Sequence, residues 1–172
     1  MRVAVTGAGG RLGTALAGRL SDSPLVDEVL AWDLPEHDLD DPESAMRLVR
    51  LHHPDLVIHA AAWTDVDGCA RDPGRALRRN GTATGEMAQA CAASGSALIA
   101  VSTNEVFDGL RTDGRPYAAT DRPGNARSAA TASAVARNER RGSVISPWPR
   151  PTAGRATARC DSAASPRRGG QD

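Results

Sequence analysis

The segment Gly7-Ala8-Gly9-Gly10-Arg11-Leu12-Gly13 restricts the fold of this chain more than any other stretch of its sequence. It follows the apolar run Val3-Ala4-Val5, typical of a buried parallel strand, and Leu12, Leu16 and Leu20 then lie on one face of a predicted helix. Glycine allows a sharp strand-to-helix turn and lets a pyrophosphate approach the backbone, where helix N–H groups bind phosphate. The segment therefore predicts a βαβ unit with a dinucleotide site. The residues expected to contact the cofactor here are Gly7, Gly9, Gly10, Arg11, Leu12 and Gly13.

Apolar runs of strand length alternate with helical segments over residues 1–122. Further strands are predicted at 29–32, 56–60 and 97–101, one helix from Asp41-Pro42-Glu43, and a longer helix from about 74 to 93. This alternation is typical of an α/β fold, and we expect an incomplete Rossmann-type, doubly wound parallel sheet with strand order 3-2-1-4. The helical side chains expected to be buried are Ala45, Leu48, Val49, Leu77, Ala83, Met87, Ala90 and Cys91.

Asp33 directly follows the second predicted strand, where an acid accepts hydrogen bonds from an adenosine ribose. Its charge would repel a 2′-phosphate and so favours NAD over NADP. Arg11, inside the glycine segment, would instead attract a 2′-phosphate. The sequence predicts an NAD(P)H site and leaves the choice of cofactor open.

The charge balance changes near residue 122. Residues 1–122 contain 18 acids and 12 arginines, whereas residues 123–172 contain 9 arginines and 3 acids. The last 50 residues have no leucine, so they offer little apolar surface to offset the entropy of ordering. We therefore expect an NAD(P)-binding domain over 1–122 and a basic, disordered or irregular tail over 123–172. A nucleic-acid arm is disfavoured, because Trp148 is the only aromatic residue among these arginines.

Cysteine content and hydropathy exclude several other classes of protein. Cys69, Cys91 and Cys160 are too few and too widely spaced for a disulfide framework or a zinc site. No apolar run approaches the ~20 residues needed to cross a bilayer. Glycines also interrupt any apolar run at the N-terminus that a signal peptide would need. We expect a cytoplasmic protein that binds neither metal, membrane nor nucleic acid.

Two later blocks resemble a single family. The run Ile58-His59-Ala60-Ala61-Ala62-Trp63-Thr64-Asp65-Val66-Asp67 resembles the Asn/His-Ala-Ala-Ala-x-Thr-x-Val-Asp signature of dTDP-4-dehydrorhamnose reductases, which are sugar-nucleotide reductases of the extended short-chain dehydrogenase superfamily. Ser102-Thr103-Asn104-Glu105-Val106-Phe107-Asp108-Gly109 resembles the Ser-Thr-Asp-Tyr-Val-Phe-Asp-Gly block of that family. The context of Asn80 and the pair Asp38-Leu39 also match, so the resemblance covers about residues 1–122.

The resemblance implies transfer of a hydride from NAD(P)H to the 4-keto group of a dTDP-linked 6-deoxy sugar. Thr103 matches the residue that hydrogen-bonds the reacting carbonyl. A homodimer is compatible with the resemblance. The residues that match cofactor contacts are Asp38 and Leu39 on the adenine side and Ala60, Ala61, Ala62 and Thr64 beside the cofactor.

The chain departs from the family at the catalytic pair. Asn104-Glu105 replaces Asp-Tyr, and Ala70 stands where a glutamate is common. The family donates its proton from a tyrosine in a Tyr-x-x-x-Lys motif, whose lysine lowers the pKa of that tyrosine. Here all 21 cationic side chains are arginine, and the one tyrosine, Tyr117, matches a segment before the motif. We therefore expect a reductase that is inactive in this form.

A frameshift near residues 127–130 is one hypothesis for the missing motif and the changed composition. Codons GCT-ACG-GCG-TCA-GC would encode Ala130-Thr131-Ala132-Ser133-Ala134, and read two nucleotides later they give Tyr-Gly-Val-Ser. Two alternatives to an inactive reductase stay open. One is a non-catalytic NAD(P)-binding or regulatory protein of the same fold, as in the regulatory subunit of methionine adenosyltransferase. The other is a sugar-nucleotide epimerase or dehydratase.

Overall fold

The computed structural model describes residues 1–103, 106–118 and 121. The predicted tail at 123–172 and the segment of the expected Tyr-x-x-x-Lys motif lie outside these residues. Four parallel strands form one sheet in the order β2-β1-β3-β4. Their bounds are Arg2–Thr6 (β1), Glu28–Trp32 (β2), Leu56–His59 (β3) and Ala97–Ala100 (β4).

The predicted parallel α/β sheet is confirmed, but the predicted strand order 3-2-1-4 is wrong. β1 pairs with β2 on one side and with β3 on the other, so that Thr6 lies between Trp32 and His59 in register. β3 is almost wholly buried, whereas β2 exposes Glu28 and forms an edge. A continuously apolar strand belongs inside a parallel sheet, and Leu56-Val57-Ile58 is more apolar than the segment that begins at Glu28. The carboxyl ends of β1 and β3 therefore meet at a topological switch point, where α/β folds bind ligands.

Helices cover both faces of the sheet. Helix α1 (Arg11–Ser21) lies on one face, where Leu16 and Leu20 pack against Val3, Val5 and Ile58. Leu12, predicted to share that face, is 47% exposed because it lies in the first turn of α1, at the carboxyl edge where the strands end. Right-handed crossovers in opposite directions place the later helices on the other face.

The main core lies between the second face and two helices. Helices α2 (Ser44–His52) and α5 (Ala83–Ser94) pack against each other and cover the sheet. Full burial of one valine, leucine or methionine side chain contributes about 1.5–3 kcal/mol to the stability of the folded protein. The predicted apolar face of α2 is confirmed, because Ala45, Leu48 and Val49 are all buried. This cluster contains Ala4, Trp32, Ala45, Leu48, Val49, Val57, Met87, Ala88, Ala90, Cys91 and Leu98.

The single long helix predicted over residues 74–93 is divided into shorter helical segments in the structure. Helix α3 (Val66–Arg71) precedes helix α4 (Pro73–Leu77), and a π-helical turn (Arg78–Thr82) joins α4 to α5. Leu77 is 40% exposed, contrary to prediction, whereas the four expected residues of α5 are buried. Each extra residue turns a helix by about 100°, so the wide π-turn shifts the face of α4 relative to that of α5.

Candidate cofactor-binding cleft

A cleft of about 230 Å³ lies at the carboxyl edge of the sheet, beside the switch point. Three of its walls are segments that directly follow a strand, and the fourth is the π-turn. Its lining residues are Gly7, Gly10, Trp32, Asp33, Leu34, His37, Asp38, Leu39, Asp40, Ala60, Ala61, Ala62, Trp63 and Arg79.

The glycine loop has little room for side chains. Gly7 has φ +66°, and a Cβ at this position would lie 2.8 Å from the Cα of Ala61. A Cβ at Gly13 would lie 2.7 Å from the Cα of Ala8. Gly10 caps α1 without a side-chain acceptor, and no acid stands in the first turn of that helix. The uncapped N–H groups and the helix dipole therefore favour an anion at this end of the cleft.

Asp33 connects the end of β2 to the glycine loop. Its carboxylate accepts the backbone N–H of Gly9, and its Oδ1 accepts the N–H of Leu34 at 2.9 Å. These contacts hold the carboxylate at the mouth of the loop. An acid in this position can accept hydrogen bonds from ribose hydroxyls.

Two adjacent arginines of the π-turn hold the wall that follows Asp33. Arg78 donates to the backbone oxygens of Asp40 (3.0 Å) and Leu39 (2.8 Å) and pairs with Glu86 at 2.8 Å. Arg79 donates to the Asp40 carboxylate through Nε at 2.8 Å and Nη2 at 2.6 Å, which raises the pKa of Arg79. Charge-assisted contacts through two nitrogens fix orientation as well as distance. The wall around Asp40 is therefore tied to the π-turn.

Buried polar side chains joined by hydrogen bonds lie beneath the cleft wall that follows β3, which is formed by residues 60–63. The His59 ring lies at the end of β3 with Nδ1 2.8 Å from Thr6 Oγ1 and Nε2 3.1 Å from Thr84 Oγ1. Burial lowers the pKa of His59 to about 4, so the ring is neutral near pH 7. His59 is the last residue of β3, so its ring lies where that strand ends.

Asn80 and two arginines hold Trp63, which lies at the far end of the same wall. The Asn80 side chain accepts the N–H of Trp63 at 2.7 Å and donates to its backbone oxygen at 2.9 Å. The guanidinium carbons of Arg75 and Arg79 lie 5.3 and 5.9 Å from the centre of the Trp63 indole, within cation–π range. Arg79 therefore contacts two residues that line the cleft, Asp40 and Trp63.

Thr103 and Tyr117 lie outside the lining of this cleft. Thr103 follows β4 at the carboxyl edge of the sheet and is exposed. Tyr117 donates its phenol hydrogen to Asp108 at 2.6 Å and stacks on Phe107, and the bond to Asp108 raises the pKa of Tyr117. A raised pKa makes the phenol a weaker acid. This geometry is consistent with the expectation that Tyr117 is not the proton donor.

The cleft brings together part of the predicted contact set. Gly7, Gly10, Asp33, Asp38, Leu39, Ala60, Ala61 and Ala62 line it. Gly9, Arg11, Leu12, Gly13 and Thr64 do not, although Gly9 contacts Asp33 and Gly13 packs inside the loop. Sequence reasoning missed Trp32, Leu34, His37, Asp40, Trp63 and Arg79. The only feature of the sequence that could have pointed to them is adjacency: Arg79 precedes Asn80, and each of the others is next to a predicted contact residue.

The described ranges contain no trio of histidine, cysteine, aspartate or glutamate side chains arranged to hold a metal ion. Within the same part of the chain, no helix combines the length and hydropathy that a membrane span requires. Cys69 and Cys91 are unbridged, and burial raises the pKa of Cys91 to about 12. Cys160 lies outside the described residues.

Comparisons with known proteins agree with the fold and with the sequence blocks. The family model of the RmlD substrate binding domain matches residues 1–134. The dTDP-4-dehydrorhamnose reductase of Mycobacterium tuberculosis is 41% identical over 122 residues, which are 70% of this chain and 39% of that protein. The chain thus spans well under half the length of this curated relative.

Solved structures give the same result. A dTDP-4-dehydrorhamnose reductase from Bacillus anthracis, in complex with NADP, has a TM-score of 0.66 and 27% identity over 81% of this chain and 48% of its own. A UDP-glucose 4-epimerase from Thermus thermophilus, in complex with NAD, has a TM-score of 0.67 and 26% identity over 83% of this chain and 51% of its own. The predicted family is confirmed: the chain belongs to the RmlD substrate-binding domain family, whose matched relatives include dTDP-4-dehydrorhamnose reductases.

Proposed function

We propose that this chain binds a nicotinamide dinucleotide in the cleft described above, with NADH preferred over NADPH. The observation that carries the proposal is the contact between the Asp33 carboxylate and the Gly9 N–H beside the uncapped start of α1. This arrangement offers N–H donors to a pyrophosphate and an acceptor to the adenosine ribose. The NADP complex of the B. anthracis relative supports the cofactor class.

The preference for NADH follows from the charges of the cleft. Asp33, Asp38 and Asp40 line it, and Arg79, the one arginine among its described lining residues, is paired with Asp40. A 2′-phosphate would approach mainly negative charge, which opposes its binding. Arg11, the residue that could attract this phosphate, is exposed and lies outside the lining.

For the substrate class we propose a dTDP-linked 4-keto-6-deoxy sugar. The identity to the M. tuberculosis reductase supports this class. Thr103, at the same edge of the sheet as the cleft, is proposed to donate a hydrogen bond to the substrate carbonyl. Cofactor and substrate would then meet at the carboxyl ends of β3 and β4.

We propose further that these 172 residues bind the cofactor without reducing the sugar. Hydride transfer to a carbonyl leaves an alkoxide oxygen that needs a proton donor. The sequence contains no lysine, and Tyr117 is engaged by Asp108. A non-catalytic or regulatory NAD(P)-binding protein is therefore the second candidate function. The similarity to an NAD-bound epimerase supports epimerisation as a further enzyme alternative.

Two measurements on the full chain test these proposals. Titration with NADH and NADPH, followed by fluorescence of the cleft-lining Trp32 and Trp63, should give saturable binding with NADH tighter. Incubation with NADH and a dTDP-4-keto-6-deoxy sugar should leave the NADH absorbance unchanged. Absence of binding by either dinucleotide would overturn the cofactor proposal. Substrate-dependent NADH oxidation would overturn the non-catalytic proposal, and a changed sugar without net oxidation would favour the epimerase.

A further inference from the structure

Residues 61–63 form one wall of the cleft without belonging to a helix or strand. Their backbone polar groups are held by side chains from below. The N–H of Ala61 donates to Thr6 Oγ1 at 3.1 Å, and both backbone groups of Trp63 bond to the Asn80 side chain. The two ends of this segment, here called the 61–63 segment, are therefore fixed by residues far away in sequence.

A series of hydrogen bonds, buried at the His59 ring, joins these two ends. It passes from Thr6 through the His59 ring to Thr84, whose hydroxyl donates to the backbone oxygen of Asn80 at 3.2 Å. Thr6, His59 and Thr84 are only 0%, 2% and 4% exposed, and they come from β1, β3 and α5. Solvent cannot replace a partner that is lost in this interior, so the two bonds to the His59 ring are costly to break.

One arrangement of protons satisfies every donor and acceptor in this series of hydrogen bonds. The Thr84 hydroxyl gives its hydrogen to Asn80, so it accepts from His59 Nε2–H. The Nδ1 atom of a neutral ring is then an acceptor, and the Thr6 hydroxyl donates to it. The lone pairs of Thr6 Oγ1 remain available to the N–H of Ala61. This series of hydrogen bonds therefore requires a neutral His59 in its Nε2–H tautomer.

We propose that His59 and Thr84 are positioning residues for the candidate cofactor site, because the hydrogen-bond chain from Thr6 to Asn80 fixes both ends of the 61–63 segment as one unit. The effect on cofactor affinity rests on the proposed function, whereas the positioning itself does not.

The place of the 61–63 segment beside the glycine loop makes its position matter for binding. A Cβ on Gly7 would lie 2.8 Å from the Cα of Ala61, so the loop and the segment lie too close together for a side chain between them. Displacement of Ala61 would change the width of the cleft where a dinucleotide backbone must enter. Sites of this kind depend on placement to a fraction of an ångström by the residues beneath them.

The first test uses amide hydrogen exchange of the full chain without cofactor. Thr84→Val removes the hydroxyl with little change in shape, Thr84→Ser retains it, and Val49→Ala destabilises the core at a buried residue that does not line the cleft. For Thr84→Val we expect exchange at Ala61 and Trp63 to accelerate about tenfold more than at Val5 and Leu98, the sheet reference amides. For Thr84→Ser the same ratio should stay within about twofold of wild type, and Val49→Ala should accelerate all four amides alike.

The second test measures NADH affinity of the same variants. We expect Thr84→Val to weaken NADH binding by about five- to tenfold, with Thr84→Ser and Val49→Ala close to wild type. The positioning role would be overturned if amide exchange at Ala61 and Trp63 were not selectively faster in Thr84→Val. It would also be overturned if exchange were equally accelerated in Thr84→Ser. Selective acceleration with unchanged NADH affinity would overturn its importance for the site. A wild-type chain that binds no NADH would instead refute the proposed function, and the exchange data would still decide the positioning role.

Discussion

The carboxylate of Asp33 accepts the backbone N–H of Gly9 and so joins the end of β2 to the loop that follows β1. A second bond, from the N–H of Leu34 to Oδ1 at 2.9 Å, fixes the orientation of the same carboxylate. The group that would meet the ribose therefore also supports the loop that would hold the pyrophosphate. Binding of the two parts of a dinucleotide should consequently be coupled through one side chain.

Replacement of Asp33 should change both affinity and cofactor preference. Asp33→Asn retains the shape but loses the charge that strengthens both hydrogen bonds, so we expect NADH affinity to fall about tenfold. NADPH affinity should fall less or rise, because the repulsion of its 2′-phosphate is removed. Fluorescence titration with both dinucleotides measures the ratio. Asp22→Asn, at the other end of α1, is the control, and an unchanged ratio in Asp33→Asn would contradict the assignment of Asp33 to the ribose.

The glycines of the first loop and helix should tolerate alanine very differently. Gly7→Ala forces a side chain into φ +66° and against the backbone of Ala61, so we expect a loss of about 1–3 kcal/mol in stability and no measurable NADH binding. Gly18→Ala lies in α1 with no atom within 4 Å of the new Cβ and should stabilise the protein by up to about 1 kcal/mol. Urea unfolding and NADH titration of the two variants measure the contrast. Equal behaviour of the two variants would show that the loop is not closely packed.

The ion pair between Arg79 and Asp40 should matter more than an exposed pair nearby. These side chains are 23% and 30% exposed, compared with 57% and 44% for Arg47 and Asp41. We expect Arg79→Ala to cost about 1 kcal/mol and to weaken NADH binding, since the wall around Asp40 loses its tie to the π-turn. Arg47→Ala should cost no more than about 0.5 kcal/mol and leave binding unchanged. Unfolding free energies and NADH titrations of the two variants decide, and equal effects would remove the structural role assigned to Arg79.

Local signals in the sequence were sufficient to predict the strands and the glycine loop. The sharp transition from Val3-Ala4-Val5 to glycine depends only on neighbouring residues. Strand order depends instead on which strands pair, and the prediction placed β3 at an edge of the sheet, whereas β3 lies inside it between β1 and β4. The contrast between Glu28 and the uninterrupted apolar run of β3 was a usable signal for this. Helical periodicity also could not separate an ordinary turn from the π-turn, so the burial of Leu77 was predicted wrongly.

The candidate site was predictable only where contacts are local or where the family resemblance supplied a residue. The resemblance supplied Asp38 and Ala60, and both line the cleft. Arg79 reaches Asp40 across 39 positions of sequence, a contact that no local pattern encodes. The same holds for Thr84 and His59, which are 25 positions apart and meet only because α5 packs over β3. Such contacts arise from tertiary packing, and the structure is needed to see them.

The buried ring of His59 should make stability depend on pH between its folded and unfolded pKa values. Burial lowers the pKa of His59 from 6.5 to about 4, so within this window the unfolded chain binds a proton that the folded chain does not. The free energy of unfolding should therefore rise with pH, by at most about 1.4 kcal/mol per unit, and level off above 6.5. The carboxylates of Asp41, Asp108 and Asp121 have lowered pKa values, and the stability they contribute is lost only below 3.8. Urea unfolding between pH 4.5 and 7.5 measures the slope, which should be smaller in His59→Asn. An NMR titration of wild type that finds His59 protonated near pH 6 would contradict the neutral, Nε2–H ring.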